Sequence, residues 1–188
     1  MKFNWKKIDR PIIGLAPMAD MTDTAFCQIV KSLASPIIWR EMVSAEAIVR
    51  GNEKTLEMTK IHEDERPIIQ QIFGADADRM AEAARIIEAD IQPEGIDINM
   101  GCPVYKMTSS FNGAALMKDP ELASNIVKQV KAAISLPLSV KIRAGWSEHS
   151  ECIDFAKMLE QAGADLISIH GRTKAQGYAG KENRQVVA

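Results

Sequence analysis

The feature that most constrains this chain is an alternation. Short apolar runs take turns with longer stretches whose apolar residues recur at helical spacing. PIIGLAPM (Pro11–Met18), PIIWREM (Pro36–Met42), PIIQQIFG (Pro67–Gly74) and GIDIN (Gly95–Asn99) read as strands. LPLSVKIRAGW (Leu136–Trp146) and ADLISIHGRT (Ala164–Thr173) each hold one more. Thr22 or Asp23 caps a helix through Phe26, Ile29, Val30 and Leu33. Asp76–Ala89 brings Met80, Ala84 and Ile87 onto one helical face. Asp119 and Pro120 open a helix over DPELASNIVKQVKAAI, with proline at the first helical position, where its missing N–H costs nothing. Ser150–Gly163 ends on a C-terminal glycine. Six strands with helices or loops between them predict a parallel α/β architecture, because parallel neighbours need a long crossover connection.

Parallel strands place all their C-terminal ends on one rim, and polar residues gather there. Ala19-Asp20 follow Met18, Arg40-Glu41 close the second strand, and Gln70-Gln71 lie in the third. Asn99 ends the fourth strand, Lys141 and Arg143 sit late in the fifth, and His170 and Arg172 end the sixth. In a (β/α)8 barrel that rim is the active-site face. A doubly wound sheet also binds ligands at its C-terminal edge. No G-x-G-x-x-G follows the first strand and no G-x-x-x-x-G-K-[ST] occurs, which favours the barrel. The expected fold class is therefore α/β, a (β/α)8 TIM barrel truncated after its sixth strand, since a full barrel takes about 250 residues and this chain has 188.

With 46% hydrophobic residues the chain can bury a sizeable core in one domain. A net charge of -2 leaves no overall electrostatic footprint for nucleic acid, although a local basic patch remains compatible with it. No apolar run approaches the roughly 20 residues needed to span a bilayer, so no membrane association is expected. MKFNWKKIDRP has no apolar signal core. Cys27, Cys102 and Cys152 lie far apart and form no C-x-x-C, so neither a zinc site nor a disulfide framework is expected, and a cytoplasmic setting is.

Cys102 sits on a Gly-Cys-Pro turn just past a strand, where it reads equally as a small buried residue or as a reactive group. The rim lacks the acidic cluster of a magnesium site, the paired carboxylates of glycoside hydrolysis and a nucleophile elbow. Lys141, inside a strand, needs an anionic partner. Schiff-base chemistry and charge stabilisation of an electron-rich cofactor are both open to it. Glu41 is either an inward structural carboxylate or a substrate contact. Cys27 and Cys152 fall at core-like helix positions, and His62 and His149 in polar segments.

Six segments in order, APMADMTDTAF, QIFGAD, DINMGCPVYKM, GAALMKDPE, KIRAGW and HGRTKAQGYAG, resemble the successive signatures of the tRNA-dihydrouridine synthases, from about Pro11 to Gly180. The resemblance implies an FMN-dependent (β/α)8 barrel that reduces uridine in tRNA, with NADPH (or NADH) as reductant and no metal. By motif position it places Ala16, Pro17, Met18, Gln71, Lys141 and His170 at the flavin. Asn99 would touch the flavin or the uracil, and Lys106, Arg143 and Arg172 the tRNA. Cys102 would protonate carbon 5 after hydride reaches carbon 6, a role open to a thiol because free cysteine, with a pKa of about 8.5, holds its proton at neutral pH.

Members of that family continue past this point, so residues 1–188 are expected to form a partial FMN-binding barrel domain without the C-terminal helical tRNA-binding domain, and to retain FMN weakly. Two alternatives stand beside this expectation. One is another FMN barrel oxidoreductase resembling dihydroorotate dehydrogenase, against which GAALM and HGRT speak. The other is an inactive RNA-binding or degenerate fragment.

Overall fold

The computed structural model describes residues 3–186. Six parallel strands form one sheet in chain order: β1 Gly14–Leu15, β2 Ile37–Ser44, β3 Ile68–Phe73, β4 Gly95–Met100, β5 Leu138–Gly145 and β6 Leu166–Thr173. The helices are α1 Thr24–Leu33, α2 Ala45–Val49, α3 Glu53–Met58, α4 Ala77–Asp90, α5 Tyr105–Thr108, α6 Pro120–Ala133 and α7 Glu151–Ala162. Strand order in the sheet equals chain order, with no reversal of winding. That is barrel topology rather than a doubly wound sheet. The fold is six strands of a (β/α)8 barrel, with β1 and β6 each paired on one side only.

Local chemistry sets the helix boundaries. Asp23 accepts from the Phe26 N–H, Asp76 from the N–H groups of Asp78 and Arg79, and Asp119 from that of Leu122. Gly163, at φ +114°, ends α7 in the left-handed conformation that glycine adopts without steric cost.

The two faces of the sheet differ in kind. Outward residues such as Ile72, Ile98 and Ile142 pack on Met80, Ile87 and Val127 of the helices to form the main core. Inward residues split into two layers. Toward the N-terminal ends of the strands, Trp5 stacks on Trp39, with ring centroids 5.5 Å apart, and packs with Ile37 and Ile69. The N-terminal segment thus closes the barrel floor. Above this apolar layer the inward positions are Gln71, Asp97, Asn99, Ser139, Lys141 and Arg143.

Several expectations need correction. β1 is two residues long rather than the whole of Pro11–Met18, because it pairs only with β2 and is flanked by Pro11 and Pro17, which have no N–H to donate. β2 runs on to Ser44, with a register break between Arg40 and Val43. Arg40 is therefore not a rim residue. It lies on the outer face, 2.8 Å from Glu65, and donates to the carbonyls of Met58 and Lys60. The short helices α2, α3 and α5 and the 3-10 turn Gly113–Lys118 fall in segments to which the sequence pattern assigns neither helix nor strand. α1 leaves Phe26, Ile29 and Leu33 exposed.

Candidate functional site

The C-terminal end of β4 delivers the thiol. Asn99 turns its side chain back on the following loop, and its Oδ1 accepts from the N–H groups of Gly101 (3.2 Å) and Cys102 (3.0 Å). From the other side, the Ala114 N–H donates to the Cys102 carbonyl at 3.0 Å. Gly113 makes this approach possible. Its φ is +61°, and a Cβ there would lie 2.8 Å from the Cys102 carbonyl oxygen and 2.9 Å from its Cβ. Arg143 supplies the third restraint. Its Nε donates to the Gly101 carbonyl (2.8 Å), and its Nη1 to the carbonyls of Thr173 (3.0 Å) and Gly177 (2.7 Å). One buried guanidinium thus joins the loop after β4 to the loop after β6. Cys102 itself is half-buried, whereas Cys27 and Cys152 are fully buried. Burial pushes the Cys27 thiol up to about 11 and also raises that of Cys152.

Behind the loop runs a chain of buried polar groups. The Trp39 indole N–H donates to Ser139 Oγ (3.3 Å), whose hydroxyl donates to Asp97 Oδ1 (2.5 Å). From the opposite side Asn99 Nδ2 donates to Gln71 Oε1 (2.9 Å), and Gln71 Nε2 donates to Asp97 Oδ2 (2.6 Å). Strand register builds the chain: Asp97 lies opposite Gln71 on β3 and Ser139 on β5. Burial raises the Asp97 carboxyl to about 6, against the lowering effect of its hydrogen bonds and of Lys141.

Lys141, opposite Asn99 across the β4–β5 ladder, is deeply set, and its ammonium has no hydrogen-bond or ion-pair partner among the described residues. Burial lowers its pKa, while Asp97 acts to raise it. His170, opposite Arg143 on β6, falls to about 4 through burial first and then through the charges of Arg143, Lys141 and Arg172. It is neutral at pH 7, with Nε2 3.5 Å from Arg172 Nη1. Arg172 also donates to the Gly180 carbonyl through Nε and Nη2.

A cavity of about 790 Å³ opens inside the sheet, walled by Gly14, Ala16, Pro17, Trp39, Lys141 and Ser168, among others. A second cavity of about 740 Å³ lies at the opposite, N-terminal end of the strands and contains none of the expected site residues.

The expected residues therefore fall into three groups. Ala16, Pro17 and Lys141 share the cavity wall. Gln71 and Asn99 belong to the hydrogen-bonded chain that ends on Cys102, and Arg143, expected at the tRNA, is buried against three backbone carbonyls. Met18 is outside the cavity wall and exposed, Lys106 is exposed on α5, and His170 and Arg172 are half-buried together on β6. Glu41 accepts from the Asp20 N–H at 2.8 Å and so pins the loop after β1. Sequence reasoning missed Asp97, Ser139 and Trp39. Period-2 alternation was the available signal, since Asp97 shares a strand face with Asn99, and Ser139 with Lys141. Among the described residues there is no group of three or more His, Cys, Asp or Glu side chains able to hold a metal, and no helix long and apolar enough to cross a membrane.

Residues 14–188 match the family model for dihydrouridine synthase. The chain is 40% identical over 176 residues to probable tRNA-dihydrouridine synthase 1 of Synechocystis sp., covering 92% of this chain and 49% of that protein. It is 38% identical over 176 residues to tRNA-dihydrouridine synthase B of Pseudomonas syringae pv. tomato, covering 93% and 52%. A probable tRNA-dihydrouridine synthase of Treponema pallidum is 39% identical over 182 residues, covering 94% and 54%. The chain spans about half the length of these curated relatives. With a family model matching residues 14–188 and relatives matching along nearly its whole length, the chain belongs to the dihydrouridine synthase family.

Proposed function

We propose that this chain forms the thiol-bearing part of a tRNA-dihydrouridine synthase, which reduces a uridine of tRNA to 5,6-dihydrouridine with FMN as cofactor and NADPH, or NADH, as reductant. The observation that carries this reading is the placement of Cys102. Its thiol is the one half-exposed thiol among three, on a loop restrained from three sides at the C-terminal rim.

The cavity suits the ring system of a flavin. Its walls at Ala16, Pro17 and Trp39 are largely apolar, and the lysine of its lining, Lys141, has no hydrogen-bond or ion-pair partner among the described residues. Ala16, Pro17 and Lys141 would hold FMN there, with Gln71 beside it. When bound, FMN supplies the hydride that reaches carbon 6 of the uracil.

Cys102 Sγ then gives its proton to carbon 5, so that one hydride and one proton complete the reduction. The Arg143 guanidinium interacts electrostatically with Cys102. Lys141 offers a positive charge where an electron-rich group needs one. His170, being neutral, takes part through hydrogen bonding rather than through charge. Arg143 acts as a brace between loops. Arg172 and exposed Lys106 are left to meet tRNA phosphate or base edges, and the target nucleotide must leave its stack to reach Cys102.

Cys102→Ala tests the reading. Dihydrouridine formation in unmodified tRNA should be abolished while NADPH still reduces the flavin. Unchanged turnover would sink the assignment.

A further inference from the structure

The hydrogen bonds behind the Cys102 loop share one direction. Every donor along both branches points toward Asp97. On one side the sequence is Trp39 N–H to Ser139, then Ser139 O–H to Asp97. On the other it is the Gly101 and Cys102 N–H groups to Asn99, Asn99 NH2 to Gln71, and Gln71 NH2 to Asp97. Both ends are groups that can only donate, an indole N–H and two backbone N–H groups. An ionised carboxylate is the one side chain in the chain that can only accept. Asn and Gln amides have no intrinsic orientation, since either end fits the same space. Something must decide which way Gln71 and Asn99 face.

We propose that Asp97 is a positioning residue: by accepting from Gln71 it fixes the Gln71 amide, which fixes the Asn99 amide, so that Asn99 Oδ1 faces the N–H groups of Gly101 and Cys102. Reversal of the Gln71 amide sets its NH2 against that of Asn99, and reversal of Asn99 sets its own NH2 against two N–H donors. The loop then loses its inner restraint, and Cys102 is held only by Ala114 and, through Gly101, by Arg143. The inference rests on the reading of Cys102 as the proton donor for its importance, but not for its test. Engagement by Gln71 and Ser139 also explains why the carboxylate, although it interacts with Lys141, makes no ion pair with that ammonium.

The test uses the 188-residue chain and reads loop order directly. Asp97→Leu keeps the branched shape, with bulkier methyl groups, but removes the acceptor. Hydrogen exchange at the Gly101 and Cys102 amides should accelerate by about tenfold or more, as local opening becomes easier. The alkylation rate of Cys102 should change with it, and the side-chain amide NMR signals of Gln71 and Asn99 should move. Asp97→Asn should rescue all three readouts. Its own oxygen can face Gln71 while its NH2 turns to Ser139, which can donate to the Ile96 carbonyl instead. Ser139→Ala cuts only the other branch and should leave the loop amides unchanged.

Exchange at Gly101 and Cys102 within about twofold of the parent in Asp97→Leu, or Asp97→Asn failing to restore it, overturns the proposal. If Asp97→Leu does not fold, Gln71→Leu breaks the next link and must loosen the same two amides, or the proposal fails. None of these readouts involves uridine reduction. An active Cys102→Ala variant would therefore refute the catalytic reading while leaving this result standing.

Discussion

Removing the Arg143 guanidinium should loosen two loops at once. Arg143→Met keeps most of the apolar stem and deletes the donors to Gly101, Thr173 and Gly177. The bond to Thr173 is fully buried, so its loss strands an acceptor away from water at about 1–3 kcal/mol. The other two bonds are part-buried and their carbonyls regain water, which leaves about 1 kcal/mol each. Against this, burial disfavours the charged guanidinium, and deleting it recovers part of the cost. The net loss comes to about 3 kcal/mol.

Urea unfolding reads the part of that loss that is global, and alkylation of Cys102 reads the part confined to the loops. A second, independent readout is His170. Burial is the largest cause of its low pKa and Arg143 the next, so an NMR titration of the imidazole should show it rising from about 4 yet remaining below its ordinary value. Arg143→Lys, able to reach one carbonyl at a time, should fall between parent and Met. If Arg143→Met leaves unfolding, Cys102 alkylation and the His170 titration all unchanged, the bracing role is wrong.

Four further outcomes follow from the same groups. The Asp97 carboxyl titrates near 6 when folded, above its ordinary value, so its contribution to stability is full below about pH 4 and is lost as pH rises through 6. The gap in urea stability favouring Asp97→Asn over the parent should widen by about 3 kcal/mol between those limits. His170 carries the opposite sign: its folded pKa is depressed, so stability is full above about 6.5 and falls as pH drops toward 4. A His170→Phe variant should lack that loss in pH-dependent unfolding. Lys141→Met replaces a deeply set ammonium, unpartnered among the described residues, with an apolar group of similar length, so thermal stability should rise while FMN affinity, measured by flavin fluorescence, falls several-fold; unchanged affinity argues against the flavin role. With a thiol reagent, Cys102 should react first in the folded chain, and Cys27 and Cys152 only on unfolding.

The sequence was most legible where a single local rule operated. Asp23, Asp76 and Asp119 cap the helices they were placed to cap or adjoin, and the isoleucine-rich runs are strands. Chain-order pairing followed from alternation, together with the absence of a phosphate-binding glycine motif. Arg40 misled because a break in register just beyond it lengthens the strand, so a residue that looked terminal lies mid-strand on the outer face. Arg143 suggests a substrate contact from sequence because a cation late in a strand gives no sign of what it will meet. Its carbonyl partners lie 30 to 42 positions away. Asp97 was overlooked for a related reason. Its neighbours Gln71 and Ser139 become neighbours only through cross-strand register, which no single strand encodes.

The stacked pair at the barrel floor gives the protein an optical probe of its own. Trp5 and Trp39 are stacked, with 13° between their ring planes, close enough for their excited states to mix and give a signed couplet in circular dichroism. Trp39 also donates its indole N–H to Ser139, two hydrogen bonds from the Asp97 carboxylate. Its emission wavelength should therefore follow the charge on that carboxylate, while the couplet reports whether the N-terminal segment is in place. A cuvette and a pH series can thus follow the buried polar chain with no label and no substrate.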